Sequence, residues 1–152
     1  MVEITNEFTK IVSREPGGEI RMIAMEAYSM AEKYGQHASG EVGATIKLTI
    51  LGLFPSDDRR GFPVLVAPQQ LKKFASGNGN TKKEMLPKEI FKRWGVDFDD
   101  MNIAEAYVLA RIAHAVDVRP EMPAFQISVV DALDGRTEWI PIAQRRLVRV
   151  GK

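Results

Sequence analysis

The chain has 152 residues, no cysteine and a net charge of +1. That length suits one domain with a real core. The lack of thiols excludes disulfides and thiolate metal sites and suits a reducing compartment. The near-zero charge excludes a polycation, so any nucleic-acid affinity must come from clustered basic residues. No window approaches the roughly 18 apolar residues of a membrane span, and the polar start MVEITNEFTKIVSREP does not read as a signal peptide.

Ile4, Phe8, Ile11 and Val12 recur at helical spacing and predict an amphipathic helix over 2–13, ended by Pro16-Gly17-Gly18. Ile20–Ala27 is short and mostly apolar, as a buried strand would be. Lys33–Gly40, rich in small and polar residues, reads as a loop. Residues 41–53 read as a helix with Val42, Ile46, Thr49, Ile50 and Leu53 on one face. Pro55–Gly61 is an exposed loop, and Val64-Leu65-Val66 is a second core strand. A basic, glycine-punctuated loop follows, then helices over 82–94 and 103–116. Alternating strands and helices predict an α/β domain with a parallel pair at its centre. Pro120 and Pro123 set off a tail in which Phe125–Val129 and Thr137–Ile140 alternate around Leu133-Asp134-Gly135, a β-hairpin pattern. The chain divides on this reading into residues 1–118 and a 119–152 hairpin with a basic end, RRLVRVGK.

Acidic residues fall where metal-dependent phosphodiester chemistry would need them. Hard divalent cations take clustered oxygen ligands, and two such ions can activate a water and stabilise the leaving oxygen. Glu26 closes the apolar run Met22–Met25; alone it also fits an ordinary solvated strand end. Asp97, Asp99, Asp100, Asn102 and Glu105 surround the start of the last predicted helix. Asn102 and Glu105 also have capping-box spacing, with Asn as cap and Glu reaching back to its amide, which needs no metal. Asp57 and Asp58 lie in the Pro- and Arg-rich loop and read as solvated.

QLKKFASGNGNTKK places Lys72, Lys73, Lys82 and Lys83 around Gly77 and Gly79. Glycines let a backbone take positive φ and approach a ligand, and lysines beside such a turn can contact phosphates as point charges. The bland alternative is a solvated turn. Pro87 falls inside the predicted 82–94 helix, so that helix either starts late, with Pro87 in its first turn, or kinks. His37 and His114 have no metal spacing; His114 fits a role at a helix C-terminus. No G-x-x-x-x-G-K-[ST] phosphate loop is present.

Taken in order, IAMEAYSM, the V-x-P strand end, the basic G-x-G stretch and DDMNIAEAYVLA resemble the RuvC-like Holliday-junction resolvases, metal-dependent nucleases of the ribonuclease H-like fold. The resemblance covers roughly Glu3 to Ala115. It implies Glu26 and Glu105 as catalytic carboxylates and Glu26, Glu105, Asn102 and Asp100 as ligands to Mg²⁺ or Mn²⁺. Lys72, Lys73, Gly77, Gly79, Lys82 and Lys83 would be DNA contacts. Glu105 stands where the family has its last metal-binding aspartate, and Lys72 and Lys83 occupy the family's lysine positions. The family's opening strands, with their first metal-binding aspartate, have no counterpart, so the expected fold is a ribonuclease H-like core truncated at the N-terminus with a C-terminal hairpin.

The implied function is a structure-specific endodeoxyribonuclease acting on branched DNA in the cytoplasm of a bacterial or phage-infected cell. A homodimer or association with a missing N-terminal segment would complete it, without a membrane. The alternatives are a degenerate relative that binds DNA or protein without cutting, and an interaction module that is similar only in architecture. The expected site has Glu26 and Glu105 close together, beside a positive face made by the four lysines.

Overall fold

Two short apolar segments pair as strands in a computed structural model that describes residues 20–27, 36–53 and 63–134. β1 (Ala24–Glu26) and β2 (Val64–Val66) run parallel, with Ala24 opposite Val64, Met25 opposite Leu65 and Glu26 opposite Val66. The Ala27 amide donates to Val66 O and the Val64 amide to Ile23 O, both at 2.8 Å. The two expected strands are therefore adjacent and parallel. A parallel pair needs a crossover, and α1 (Gln36–Leu53) lies between them in sequence. This helix takes in residues 36–40, where a loop was expected. Gly40 and Ser39 lower helix propensity by at most about 1 kcal/mol each, too little to stop propagation from a long helix already nucleated.

The segment expected as a basic loop is largely a helix, α2 (Pro68–Ser76). Proline is at home in a first turn, where its missing N–H is no loss. Gln70 Oε1 accepts the Ala67 amide at 3.0 Å, which fixes the entry. Leu71, Phe74 and Ala75, at i, i+3 and i+4, are buried. A helix leaves its last four carbonyls without internal partners, and here three of them find one. Gly77 N–H donates to Lys73 O, Gln126 Nε2 to Phe74 O at 2.9 Å, and Arg93 Nε to Ala75 O at 2.7 Å. Gly77 makes its bond from φ +89°, a left-handed conformation, and Gly79 follows so near the helix start that an added Cβ would sit 3.0 Å from Gln69 O. At Gly77 an added Cβ would meet only the Phe125 ring, at 3.9 Å. Gly77→Ala is therefore expected to cost about 1 kcal/mol, all of it backbone strain, with Gly77→Asn costing less; thermal denaturation of both variants checks the order.

A 3₁₀ turn (Lys83–Met85) leads into α3 (Leu86–Trp94), with Pro87 in its first turn, so the helix starts late rather than kinking. α4 (Met101–Val118) and α5 (Ala124–Asp134) complete the described chain. α5 replaces the first strand of the expected hairpin. Gln126, Val129, Val130 and Leu133 are buried at three-to-four-residue spacing, and the Gln126 and Ile127 amides both donate to Pro123 O, starting the helix. The alternation that suggested a strand gives way to burial of Gln126, Val129, Val130 and Leu133 along one helix face, which overrides local preference, while Ile127 stays exposed. The second expected strand, Thr137–Ile140, lies outside the described residues, as do the 2–13 helix, the Asp57-Asp58 loop and the basic end.

The result is a mixed α/β arrangement, mostly helical, with a two-stranded parallel sheet. α4 packs against β1 and against α2, α3 and α5, while α5 also reaches β2. Val66, Leu71, Phe74, Ile90, Val108, Ile112, Val129 and Val130 fill the core between them. No described helix is long and apolar enough to cross a membrane.

Candidate functional site

The two elements that carry the candidate carboxylates meet through α4 and β1. Glu26 is the last residue of β1 and is exposed. Asp100 is the N-cap of α4: its Oδ1 accepts the Asn102 amide at 2.7 Å and the Ile103 amide at 3.1 Å. The alternative of an Asn102–Glu105 capping box is thereby corrected. A cap sits before the first helical residue, and Asn102 is already inside the helix, which begins at Met101.

Asn102 and Glu105 turn instead to Lys83. Its Nζ lies 2.8 Å from Glu105 Oε2 and 3.4 Å from Asn102 Oδ1. Glu105 is mostly shielded, its side chain 20% exposed, and Lys83 is 41% exposed. The Glu105 hydrogen bond is the main cause raising the Lys83 pKa, with partial burial opposing it and the charges of Glu105, Glu26 and Asp100 adding to it. The sign follows directly. The ammonium's contribution to stability is fully present at neutral pH and fades only as pH rises past the ordinary lysine range. Lys83 thus gathers Glu105 and Asn102 by contact and feels Glu26 and Asp100 at longer range.

The other basic candidates divide. Lys73 Nζ donates to Ser128 Oγ at 2.9 Å, across the α2–α5 contact. Lys72 and Lys82 form no ion pair among the described residues. The loop after α2 is held by its own side chains: Ser76 Oγ and Thr81 Oγ1 are 2.7 Å apart, and Asn78 Oδ1 accepts the Asn80 amide at 3.0 Å. Gly77 closes the helix, and Gly79 packs on its start.

Along the same β1–α4 seam runs an apolar cleft of about 520 Å³, lined by Met22 and Ala24 on one side and by Ala106, Leu109, Ala110 and Ala113 on the other. His114 also lines it, and the Arg21 Nε–Asp117 Oδ2 pair, 2.9 Å long, stands on its wall.

No protein-family profile matches the chain, and no curated protein or solved structure does so either. The site's chemistry must therefore be read from its own atoms. Glu26, Glu105, Asn102 and Asp100 offer hard oxygen donors of the kind that suit Mg²⁺ or Mn²⁺. As arranged they do not form a closed shell. Among the described residues no three histidine, aspartate or glutamate side chains converge as a metal-binding group, Glu105 is committed to Lys83, and Asp100 to backbone amides.

Sequence reasoning missed two basic residues. Arg93 and Arg111 both lie against Trp94, with guanidinium carbons 6.0 Å and 5.2 Å from the ring centre. For Arg93 the available signal was the basic pair flanked by aromatics in FKRW; Arg111 has no such signal beyond Tyr107 one turn before it.

Proposed function

We propose that this chain is a RuvC-like nuclease of the ribonuclease H-like class, acting on branched DNA with Mg²⁺ or Mn²⁺ at Glu26, Glu105, Asn102 and Asp100. One observation carries the reading: at the start of α4, the helix that packs on the strand ending in Glu26, Glu105 Oε2 and Asn102 Oδ1 converge on one cation, the Lys83 ammonium, at 2.8 Å and 3.4 Å. An acidic edge of this kind is where a divalent ion would be held. When bound, the ion would supply water activation and charge neutralisation. Glu105 and Asn102 would orient it once Lys83 withdraws, and Lys72 and Lys82 would contact DNA phosphates. A homodimer, or a further segment carrying the family's first aspartate, would complete the ligand set.

A second reading is favoured by the same contact. With Lys83 on Glu105, the site is neutralised by the protein itself, as suits a relative that binds branched DNA without cutting it. Incubation with a labelled four-way junction and Mn²⁺ separates the two. The nuclease reading expects slow cleavage, lost in both Glu26→Gln and Glu105→Gln. Retained junction binding with no cleavage at any Mn²⁺ concentration would leave the non-cutting reading in its place.

A further inference from the structure

We propose that Arg111 and Arg93, stacked about Trp94, form a second phosphate-binding surface that grips a nucleic-acid backbone apart from the acidic edge. The inference rests on the branched-DNA reading above and adds where a second arm would lie.

The surface is built on aromatic packing. Trp94 stacks near Phe74 at 6.3 Å and meets Tyr107 edge-on at 5.7 Å, and Phe98 lies 5.2 Å from Tyr107. Two guanidinium groups lie against this cluster. Arg111 is 5.2 Å from the Trp94 centroid and 5.9 Å from that of Tyr107. Arg93 is 4.7 Å from the Phe125 ring. Contacts run without a break from Arg111 through Trp94 and Arg93 to Phe125.

Among the described residues neither arginine meets an anion. Arg111 is exposed and has no carboxylate partner or hydrogen-bond acceptor among the described residues. Arg93 gives only its Nε, to Ala75 O, and its terminal amino groups have no acceptor there. Asp97, beside Phe98 in sequence, accepts its neighbour's amide at 3.0 Å rather than a guanidinium. A guanidinium presents five N–H donors in a planar fork that matches a phosphate. Stacking on aromatic faces orders that fork in advance, so less side-chain freedom is lost when an anion arrives. In a chain of net charge +1, two arginines on one aromatic platform with no counter-ion among the described residues are a local concentration of positive charge.

Position gives this surface its meaning. Arg111 is six residues beyond Glu105 on one helix. At 3.6 residues per turn that places it on another flank, about 120° away. A single straight duplex on the acidic edge would not lie along both. The diverging arms of a junction could.

The test is fluorescence anisotropy of the full chain with a labelled four-way junction, in EDTA, across a salt series. Arg111→Gln is expected to weaken binding about three- to tenfold and to flatten the salt slope by about 0.9, one phosphate contact's worth. Arg111→Met keeps the stem on Trp94 without the charge and should do the same if Arg111→Gln fails to fold. Arg111→Lys should retain the slope and lose part of the affinity. Unchanged affinity and slope in a folded Arg111→Gln or Arg111→Met would overturn this surface and leave the acidic-edge reading standing. Absence of junction binding by the unaltered chain would overturn both, whereas binding without Mn²⁺-dependent cleavage would remove only the nuclease reading.

Discussion

Lys83→Met is expected to raise Mn²⁺ affinity about two- to fivefold, measured by titration calorimetry against the unaltered chain. The ammonium sits 2.8 Å from Glu105 Oε2, so it both occupies a donor that an ion would use and repels the ion. A unit charge about 4 Å away is worth about 4 kcal/mol at an effective dielectric of 20. Lys83 is well exposed, and solvent cuts such terms to about 0.5–1 kcal/mol, which is the stated change in affinity. Glu105→Gln in the Lys83→Met background should erase the gain. If Lys83→Met binds Mn²⁺ no better than the original, Lys83 is not standing in the ion's place.

The second large effect is on stability. Ile112→Ala should destabilise the chain by about 3 kcal/mol and lower its melting temperature by about 10 °C. Ile112 is fully buried on α4, the helix that touches β1 and every other helix of the core cluster. Phe91→Ala is the control: Phe91 is 55% exposed on α3, and its loss should change stability by about 0.5 kcal/mol or less. Equal melting temperatures for the two variants would mean the core is not centred on α4.

Where sequence reasoning held, one local signal pointed one way. Val64-Leu65-Val66 is a short apolar run and forms β2, and the apolar run Met22–Met25 contains the start of β1 (Ala24–Glu26); the two strands pair in the predicted parallel sense. For Pro87 the sequence left two alternatives, a late start or a kink, because proline in a helix interior is so costly; the late start is the one found, with Pro87 in the first turn of α3. The failures share a cause. The lysines and glycines of 71–83 looked like loop, but Leu71, Phe74 and Ala75 are at helical spacing and the glycine is a terminus rather than an interior feature. Phe125–Val129 alternates well enough for a strand, yet Val129, Val130 and Leu133 suit a helix as well; only the core they enter decides. The acidic residues of the site were legible by type. The Lys83–Glu105 contact, spanning 22 positions, and the arginines on Trp94 were not, because both depend on how α3 and α4 are laid against each other.

The way α2 ends has a consequence for how the chain folds. Nine residues are too few for a helix to persist alone in water. Two of its terminal carbonyls are satisfied only by side chains from α3 and α5, 18 and 52 positions downstream. A nascent α2 emerging from the ribosome would therefore fray until Arg93 and then Gln126 had been synthesised. The helix bearing Lys72 and Lys73 acquires its final form late, as its last stabilising partner arrives from near the end of the described chain.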